Sequence, residues 1–471
     1  MSLVAGKSCA ILGAGVTGLA VARLLVASGA RVTIFEKAPV VGGLCRSDIV
    51  DGFVYDLAGG HVLFSRDPEV MSFLAGLLGP ENLVRSERNT RIFFRGRYVN
   101  YPFENGLSDL AKEDNYECLK GFVEAHYRRE YEEKGKPRPV SFRDWIVWRF
   151  GQGIADLFMF PYNEKIWKTD LSRLSAEWVA GRVPDAPLDD ILKTAVGIGT
   201  SGYKHQAIFF YPRQGGFQAL PDRLAEPLGD CIRLSTTVER VKKTASGFEV
   251  NGEPFDELVS TIPIEELYSM LDRPDPRGKE AASSLDFLSL ATFLIGLDGR
   301  DESNRYSWIY LPHPENGACN RITYLSNYSP NNAPPGTTSV LAEATFREEP
   351  KDMEAMAKKV VEDLDRNGLL DKSKVKTLAW RKIRHAYIVF DLDFSRKKDV
   401  AVKGLRDLGI HPVGRFGRYE YLNSDMCIRT AFDTAKELIG SMPELPEIAR
   451  GRAFAREVYK DQNLDIVVKS D

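Results

Sequence analysis

Three glycines and one acid near the start of the chain carry its most specific chemistry. Gly13, Gly15 and Gly18 follow the spacing G-x-G-x-x-G, and Glu36 lies downstream at the distance such sites use for a ribose. In this pattern the first glycine makes a tight turn, the second lets the backbone approach a pyrophosphate, and the third lets a helix close onto a strand. The exposed N–H groups and positive end of the helix would then face the pyrophosphate. Glu36 would accept a hydrogen bond from a ribose hydroxyl. The chemistry is dinucleotide binding, and the bland alternative is a glycine-rich turn.

The flanking elements decide between the two. An apolar run, Ser8-Cys9-Ala10-Ile11-Leu12, precedes the glycines; a helical pattern fills 19–27; a second apolar strand, Arg31-Val32-Thr33-Ile34-Phe35, ends at Glu36. A strand before, a helix after and an acid at the next strand end are what the phosphate cradle requires. A second G-x-G-x-x-G, at Gly197, Gly199 and Gly202, follows a helical pattern over 188–196 instead. Without a strand before it the cradle cannot form, and it reads as a flexible loop able to serve as a lid.

Two further glycine pairs occur in Val41-Gly42-Gly43-Leu44-Cys45-Arg46-Ser47 and Tyr55-Asp56-Leu57-Ala58-Gly59-Gly60-His61. They bring more backbone close to a ligand than a simple nicotinamide fold needs. The whole run resembles the glutathione-reductase type of FAD-binding fold, in its amine oxidase-like branch. That resemblance implies FAD held by Gly13, Gly15, Gly18, Glu36, Gly43, Arg46, Gly60, His61, Val238, Gly414, Arg415, Asn423 and Asp425.

Composition sets the outer bounds. A chain of 471 residues that is 43% hydrophobic has material for two to three domains. With 63 basic and 66 acidic residues spread throughout, nothing points to nucleic acid. The six cysteines show no C-x-x-C spacing, which argues against a metal site or a disulfide framework and suits a reducing compartment. Cys45 reads as a small buried filler rather than a redox thiol. The first apolar stretch is the nucleotide-binding strand, without a cleavage-site pattern, and no run of 18 apolar residues occurs. The expectation is a cytoplasmic protein without stable membrane insertion, with oligomer formation left open.

Helical spacing dominates 108–192, including 116–134 and 142–160, separated by a charged stretch with two prolines at 132–139. Strands are predicted at 207–211, 232–241, 248–250 and 257–261, and mostly β structure over 289–389 with one helix at 350–367. From Val413 a short loop leads into a helix at 427–439. The predicted fold class is α/β: a Rossmann-like FAD-binding domain of the glutathione-reductase type, a helical insertion, and a mixed or antiparallel β-sheet substrate domain. The boundaries are 1–95 with 205–265 and 405–471 for the first, 106–200 for the second, and 96–105 with 266–404 for the third.

Several segments together resemble the UDP-galactopyranose mutases, more the eukaryotic type than the bacterial. They are Gly60-His61-Val62-Leu63-Phe64-Ser65; Tyr98-Val99-Asn100-Tyr101-Pro102-Phe103-Glu104-Asn105; the stretch from Trp145 to Pro161-Tyr162-Asn163-Glu164-Lys165-Ile166-Trp167; Arg182-Val183-Pro184; Ser326-Asn327-Tyr328-Ser329-Pro330; and Gly414-Arg415-Phe416-Gly417. The resemblance implies a redox-neutral pyranose–furanose isomerisation of a nucleotide sugar, with the N5 of reduced FAD as nucleophile. It places His61 beside the flavin and makes Arg182 and Arg321 the clamps for a diphosphate that leaves and returns. Tyr310, Tyr387 and Tyr421 fall on phosphate-binding positions, donating without adding charge. Tyr101 and Asn163 fall on nucleobase positions, with Phe64, Phe103 and Glu104 beside them; Trp167 lines the pocket or packs the core. An external reductant or NAD(P)H is implied for the flavin.

Three departures fall on substrate-facing segments. Glu104 stands where the eukaryotic-type mutases have a glutamine, and a carboxylate can accept but not donate. The run His385-Ala386-Tyr387-Ile388-Val389-Phe390-Asp391 replaces a proline-rich one, and its Asp391, with Asp393, either brings negative charge towards the sugar or caps a turn. Glu420 stands where bacterial mutases carry an arginine. The alternative reading is an FAD-dependent oxidase or desaturase of the amine oxidase or protoporphyrinogen oxidase kind, which needs an apolar substrate tunnel.

Overall fold

A strand buried on both faces must be apolar throughout, and Cys9 to Leu12 have no exposed surface. In a computed structural model, which describes residues 2–179, 187–200, 207–462, 464 and 466, strand Ser8–Leu12 is the centre of a five-stranded parallel sheet. The order is Ile410–Pro412, Glu257–Ser260, Ser8–Leu12, Arg31–Phe35, Ile232–Arg233. The chain thus leaves the central strand towards both sides, which opens a crevice beyond its carboxyl end. Helix Val16–Ala27 begins at that crevice.

The second sheet has seven strands in the order Val375–Val389, Asp286–Asp298, Thr337–Phe346, Arg321–Tyr324, Trp308–Tyr310, Thr90–Phe94, Arg97–Asn100. Its pairs are antiparallel except Trp308–Tyr310 with Thr90–Phe94. The boundary expected at 95 therefore cuts through this sheet: Thr90–Phe94 carries the pairing between Trp308–Tyr310 and Arg97–Asn100. Helices Lys112–Tyr127, Phe142–Ile154, Phe160–Trp167 and Leu188–Ala195 form the helical unit, and its core also takes in Ile92, Phe94 and Val99 of the sheet.

Two other expectations change. The strand predicted over 232–241 is two short pieces, Ile232–Arg233 and Val241–Lys243, in different sheets. A helix that sequence reading did not anticipate, Pro446–Asp461, lies across Pro68–Leu78. Gly76 and Gly451 make the crossing, because a Cβ on either would run into backbone of the other helix.

Candidate flavin and substrate site

Gly13 sits at φ +98°, and its turn is the one the nucleotide cradle calls for. A Cβ at Gly18 would collide with the Gly13 carbonyl, so the third glycine brings helix and strand together as expected. Gly15 is the N-cap of helix Val16–Ala27, with no side-chain cap, no acid in the first turn and nothing in reach of a Cβ. The helix thus presents uncapped N–H groups and its positive end. The Gly42–Gly43 turn lies against it: Gly42 N–H donates to the Ala14 carbonyl at 2.8 Å, and a Cβ at Gly43 would come 3.3 Å from the Gly15 Cα.

Glu36 is turned to the same place, where its two carboxylate oxygens accept from Ala14 N–H and Ala38 N–H at 2.8 Å each. Those bonds fix its orientation and leave a lone pair on each oxygen for a ribose. A second helix, Ser424–Ile439, starts beside the first; Cys427 of its opening turn is bonded to Thr17, and Gly414 packs on Thr17 so closely that a Cβ would be 2.7 Å from the hydroxyl. Its N-cap Asn423 makes no side-chain cap bond, and Asp425, bonded to Ser65, is raised by burial. Arg415 donates to the carbonyls of Leu422 (2.9 Å) and Ala386 (3.0 Å) and covers the Tyr421 ring at 4.3 Å. The Nε atoms of Arg415 and Arg46 are buried without a partner in the protein. Val238 packs with Leu12 and Phe35 at the flank of the sheet. Uncapped helix ends, an oriented acid and unsatisfied guanidinium N–H groups fit a pyrophosphate-bearing dinucleotide.

The sheet face opposite is organised by register. Tyr310, Arg321, Glu343 and Thr292 are direct partners on four adjacent strands and form one row. Cross-strand partners share a face, so the row is a continuous polar stripe. Glu343 has no exposed surface; Arg321 donates to it through Nε and Nη2 at 2.8 Å each, in a two-pronged pair. Burial works against the Arg321 charge, but Glu343 holds the guanidinium firmly protonated. The Arg321 side chain remains 22% exposed. Its field acts on Tyr162, Tyr310, Tyr328 and Tyr387, four hydroxyls kept protonated chiefly by burial.

The Gly59–His61 turn lies directly on this row. Gly59, at φ +98°, would place a Cβ 2.7 Å from Glu343 Oε2, and Gly60 would place one 2.7 Å from Thr323 Cγ2. Gly60 N–H points at Glu343 Oε1 over 3.4 Å. His61 stacks on Phe217 (5.0 Å, 29°) with a buried, unpartnered Nδ1; burial and then Arg321 lower it to about 4, so the ring is neutral. Asp56 anchors the turn from behind, accepting from Ser47 Oγ at 2.6 Å, Tyr211 OH at 3.0 Å, Phe217 N–H at 3.3 Å and the His61 N–H. Its complete burial outweighs those donors and pushes it up to about 6.

Aromatic contacts extend the row towards the helical unit. Tyr310 meets Tyr101 and Tyr162, each at 5.2 Å between ring centres, and Arg88 covers Tyr101 at 5.3 Å. A cleft of about 720 Å³ continues from Arg88 and Tyr101 past Asn105 and Thr194 to the loop 197–200. The later part of the second glycine motif, with Gly202, lies outside the described residues, as does Arg182. Glu104 is 4% exposed beside Tyr101, and Phe64 is buried.

Other expected residues behave differently. Phe103 has no exposed surface and stacks on Phe158 at 4.8 Å, which places it in the core of the helical unit rather than on a pocket wall. Asn163 donates one amide hydrogen to the carbonyl of Met159, the N-cap of its helix, which leaves its second N–H and its oxygen for a ligand. Trp167 is 4% exposed, against Trp178 and 6.3 Å from Tyr387, and Tyr387 is 6.4 Å from Tyr421. Asp393 is the N-cap position of helix Phe394–Asp407 and pairs with Arg396, while Asp391 pairs with Lys397 at 2.6 Å, so both shape that helix start. Glu420 pairs with Arg418 at 2.8 Å. Glu343 and Asp56 were not singled out from sequence; a lone charge in the otherwise uncharged strand TTSVLAEATF was the available signal.

A Rossmann-like sheet with this cradle, facing a mixed sheet, defines a glutathione-reductase-type FAD-binding flavoprotein. The sequence pattern of the flavin-containing amine oxidoreductases matches residues 16–397, and the chain belongs to that family. FAD is its cofactor. It is 27% identical over 259 residues to protoporphyrinogen oxidase 2 of Arabidopsis thaliana, spanning half the length of that relative and half of this chain. A chloroplast protoporphyrinogen oxidase of Nicotiana tabacum is 21% identical, covering 92% of this chain and 85% of its own. Among solved structures, reduced UDP-galactopyranose mutase superposes with a TM-score of 0.84 at 26% identity, covering 95% of this chain and 99% of that one.

Proposed function

We propose that the chain catalyses the pyranose–furanose interconversion of a nucleoside-diphosphate sugar, as an enzyme similar to UDP-galactopyranose mutase. The observation that carries this reading is the polar row Tyr310–Arg321–Glu343, with the hydroxyls of Tyr162, Tyr328 and Tyr387 within the field of Arg321. Oxidation of an apolar substrate has no use for such a donor set. A diphosphate that must leave and return does. When bound and reduced, FAD supplies a nucleophilic N5 and ends the cycle unchanged in oxidation state.

The protein side of the chemistry is positioning. Glu343 fixes the plane of the Arg321 guanidinium, whose outer edge meets phosphate oxygens. The tyrosine hydroxyls add neutral donors, needed because Glu343 already balances the Arg321 charge. Arg182 supplies the remaining cation, and Tyr101, next to Tyr310, holds the base together with Asn163 and Glu104. His61, neutral, keeps charge away from the reacting face. A second reading, an oxidase or desaturase, is favoured by the names of the sequence relatives.

Arg321→Lys tests the assignment. Arg321→Ala would strand a buried carboxylate, at a cost of about 3–5 kcal/mol, whereas lysine keeps the charge and loses the fork. The variant is expected to retain FAD and to lose turnover of a nucleotide sugar by about a hundredfold or more. Full turnover would remove Arg321 from the diphosphate site.

A further inference from the structure

Helix Phe160–Trp167 carries two charged side chains, and it exposes Glu164 but buries Lys165, which is 8% exposed. The Lys165 ammonium donates to the carbonyls of Leu311 at 2.8 Å and His313 at 2.9 Å. Burial lowers its pKa to about 8 and Lys168 adds to this, while Cys319, Glu315 and Asp363 favour the charge, so the side chain is an ammonium at neutral pH. A cation buried against carbonyls costs more than an apolar side chain in the same space; what it provides is geometry. Leu311 follows Tyr310 at the end of strand Trp308–Tyr310. Tyr162, three residues before Lys165 and so on the same helix face, meets the Tyr310 ring at 5.2 Å. One helix face is thus tied to one strand end by a ring contact and by two charge-assisted hydrogen bonds.

The end of the same helix is tied to a second strand. Thr345 donates its hydroxyl to the Ile166 carbonyl at 2.6 Å, and Arg347, paired with Asp286, donates to the Lys168 carbonyl at 3.0 Å. Thr345 lies two residues beyond Glu343 on Thr337–Phe346, hence on the face of the carboxylate that orients Arg321.

We propose that Lys165 is a positioning residue for nucleotide binding: it fixes the helix that carries Tyr162 and Asn163 to the strand end that carries Tyr310, and so sets the spacing between the base half and the diphosphate half of the site. This rests on the reading that a nucleoside diphosphate meets Arg321 and Tyr310 with its phosphates and Asn163 and Tyr101 with its base. The two halves stand on different units, the helical one and the seven-stranded sheet, so a ligand that touches both binds well only when their separation is held. Lys165 holds it from the side of Tyr310, and Thr345 from the side of Glu343. Neither acts on the orientation of Arg321, which Glu343 fixes by itself. Lys165 therefore governs how base and diphosphate are gripped together, and leaves the grip on the diphosphate alone.

The test uses the FAD-loaded protein with UDP and inorganic pyrophosphate as probes, their dissociation constants read by calorimetry in wild type and in Lys165→Met. Methionine keeps much of the side-chain length and removes the donors, leaving the two carbonyls without them. UDP affinity is expected to fall by about tenfold or more. Pyrophosphate, which by the same reading engages Arg321 and not the base residues, is expected to stay within about threefold of wild type. Should Lys165→Met lose FAD, Thr345→Val serves in its place: it removes the donor to Ile166 of the same helix, and the same selective fall is expected. UDP affinity unchanged in the variant, or UDP and pyrophosphate weakened by the same factor, overturns the positioning role and leaves the nucleotide reading standing. Failure of UDP to bind wild type overturns both.

Discussion

Glu104 is the residue whose chemistry bears most directly on the proposed recognition of the base. It is 4% exposed next to Tyr101, the ring proposed to meet the nucleobase. A carboxylate there can accept from a base N–H or an exocyclic amine, yet it opposes the O4 carbonyl of uracil. Glu104→Gln restores a donor and is expected to move the ratio of UDP to CDP affinity towards UDP by roughly tenfold, the value of one buried hydrogen bond. An unchanged ratio, measured by titration of the flavin absorbance, would show that the base is not read there. At this scale the sequence was informative wherever a residue has local company: Arg321 before Ile322-Thr323-Tyr324, and His61 after two glycines. It was silent on what such residues touch. That Arg321 is already paired, and that Asn163 spends one amide hydrogen on the Met159 carbonyl, depends on partners fixed by packing.

The Tyr55–His61 segment and the sheet row beneath it form the elements on which the site turns. Burial moves Asp56 and His61 of this segment in opposite directions, Asp56 up to about 6 and His61 down to about 4. Asp56 binds its proton more tightly folded than unfolded, so its stabilising contribution is full below the ordinary 3.8 and is lost as pH rises through 6. His61 binds its proton less tightly folded, so stability from it increases as pH rises from about 4 through 6.5. At 1.36 kcal/mol per pH unit each swing is roughly 3 kcal/mol, and the two largely cancel. Relative to wild type, the unfolding free energy of Asp56→Asn is therefore expected to rise by roughly 3 kcal/mol between pH 4 and 6.5. That of His61→Gln is expected to fall by as much. Urea titrations that stay parallel for all three proteins across that window would refute the assignment.

The same elements show where sequence reasoning reached its limit. The strand–helix–strand unit from Ser8 to Phe35 was legible because each of its signals is local. Glu343 was not, because its role depends on cross-strand register with Arg321, Tyr310 and Thr292. The helix Pro446–Asp461 escaped for a related reason. Its burial comes from a glycine-to-glycine crossing with Pro68–Leu78 rather than from a broad apolar stripe.

At the scale of the whole molecule, the site is assembled between two sheets. The parallel sheet presents the FAD cradle, and the seven-stranded sheet presents the Arg321 row, with the Gly59–His61 turn between them. Members of the flavin-containing amine oxidoreductase family share such a frame, so the family alone does not choose between isomerisation and oxidation. The polar row and the mutase-like overall shape favour isomerisation. No helix among the described residues is long and apolar enough to cross a membrane.

The measurement that bears most directly on this conclusion is anaerobic incubation of the FAD-loaded protein with UDP-galactopyranose and, separately, UDP-galactofuranose, with and without dithionite, followed by chromatography. Interconversion in both directions with reduced protein, and none with oxidised protein, is the expected result. If the reduced protein converts neither sugar and UDP leaves its flavin spectrum unchanged, while the oxidised protein consumes oxygen with a porphyrinogen, the isomerase assignment is contradicted and the oxidase reading takes its place.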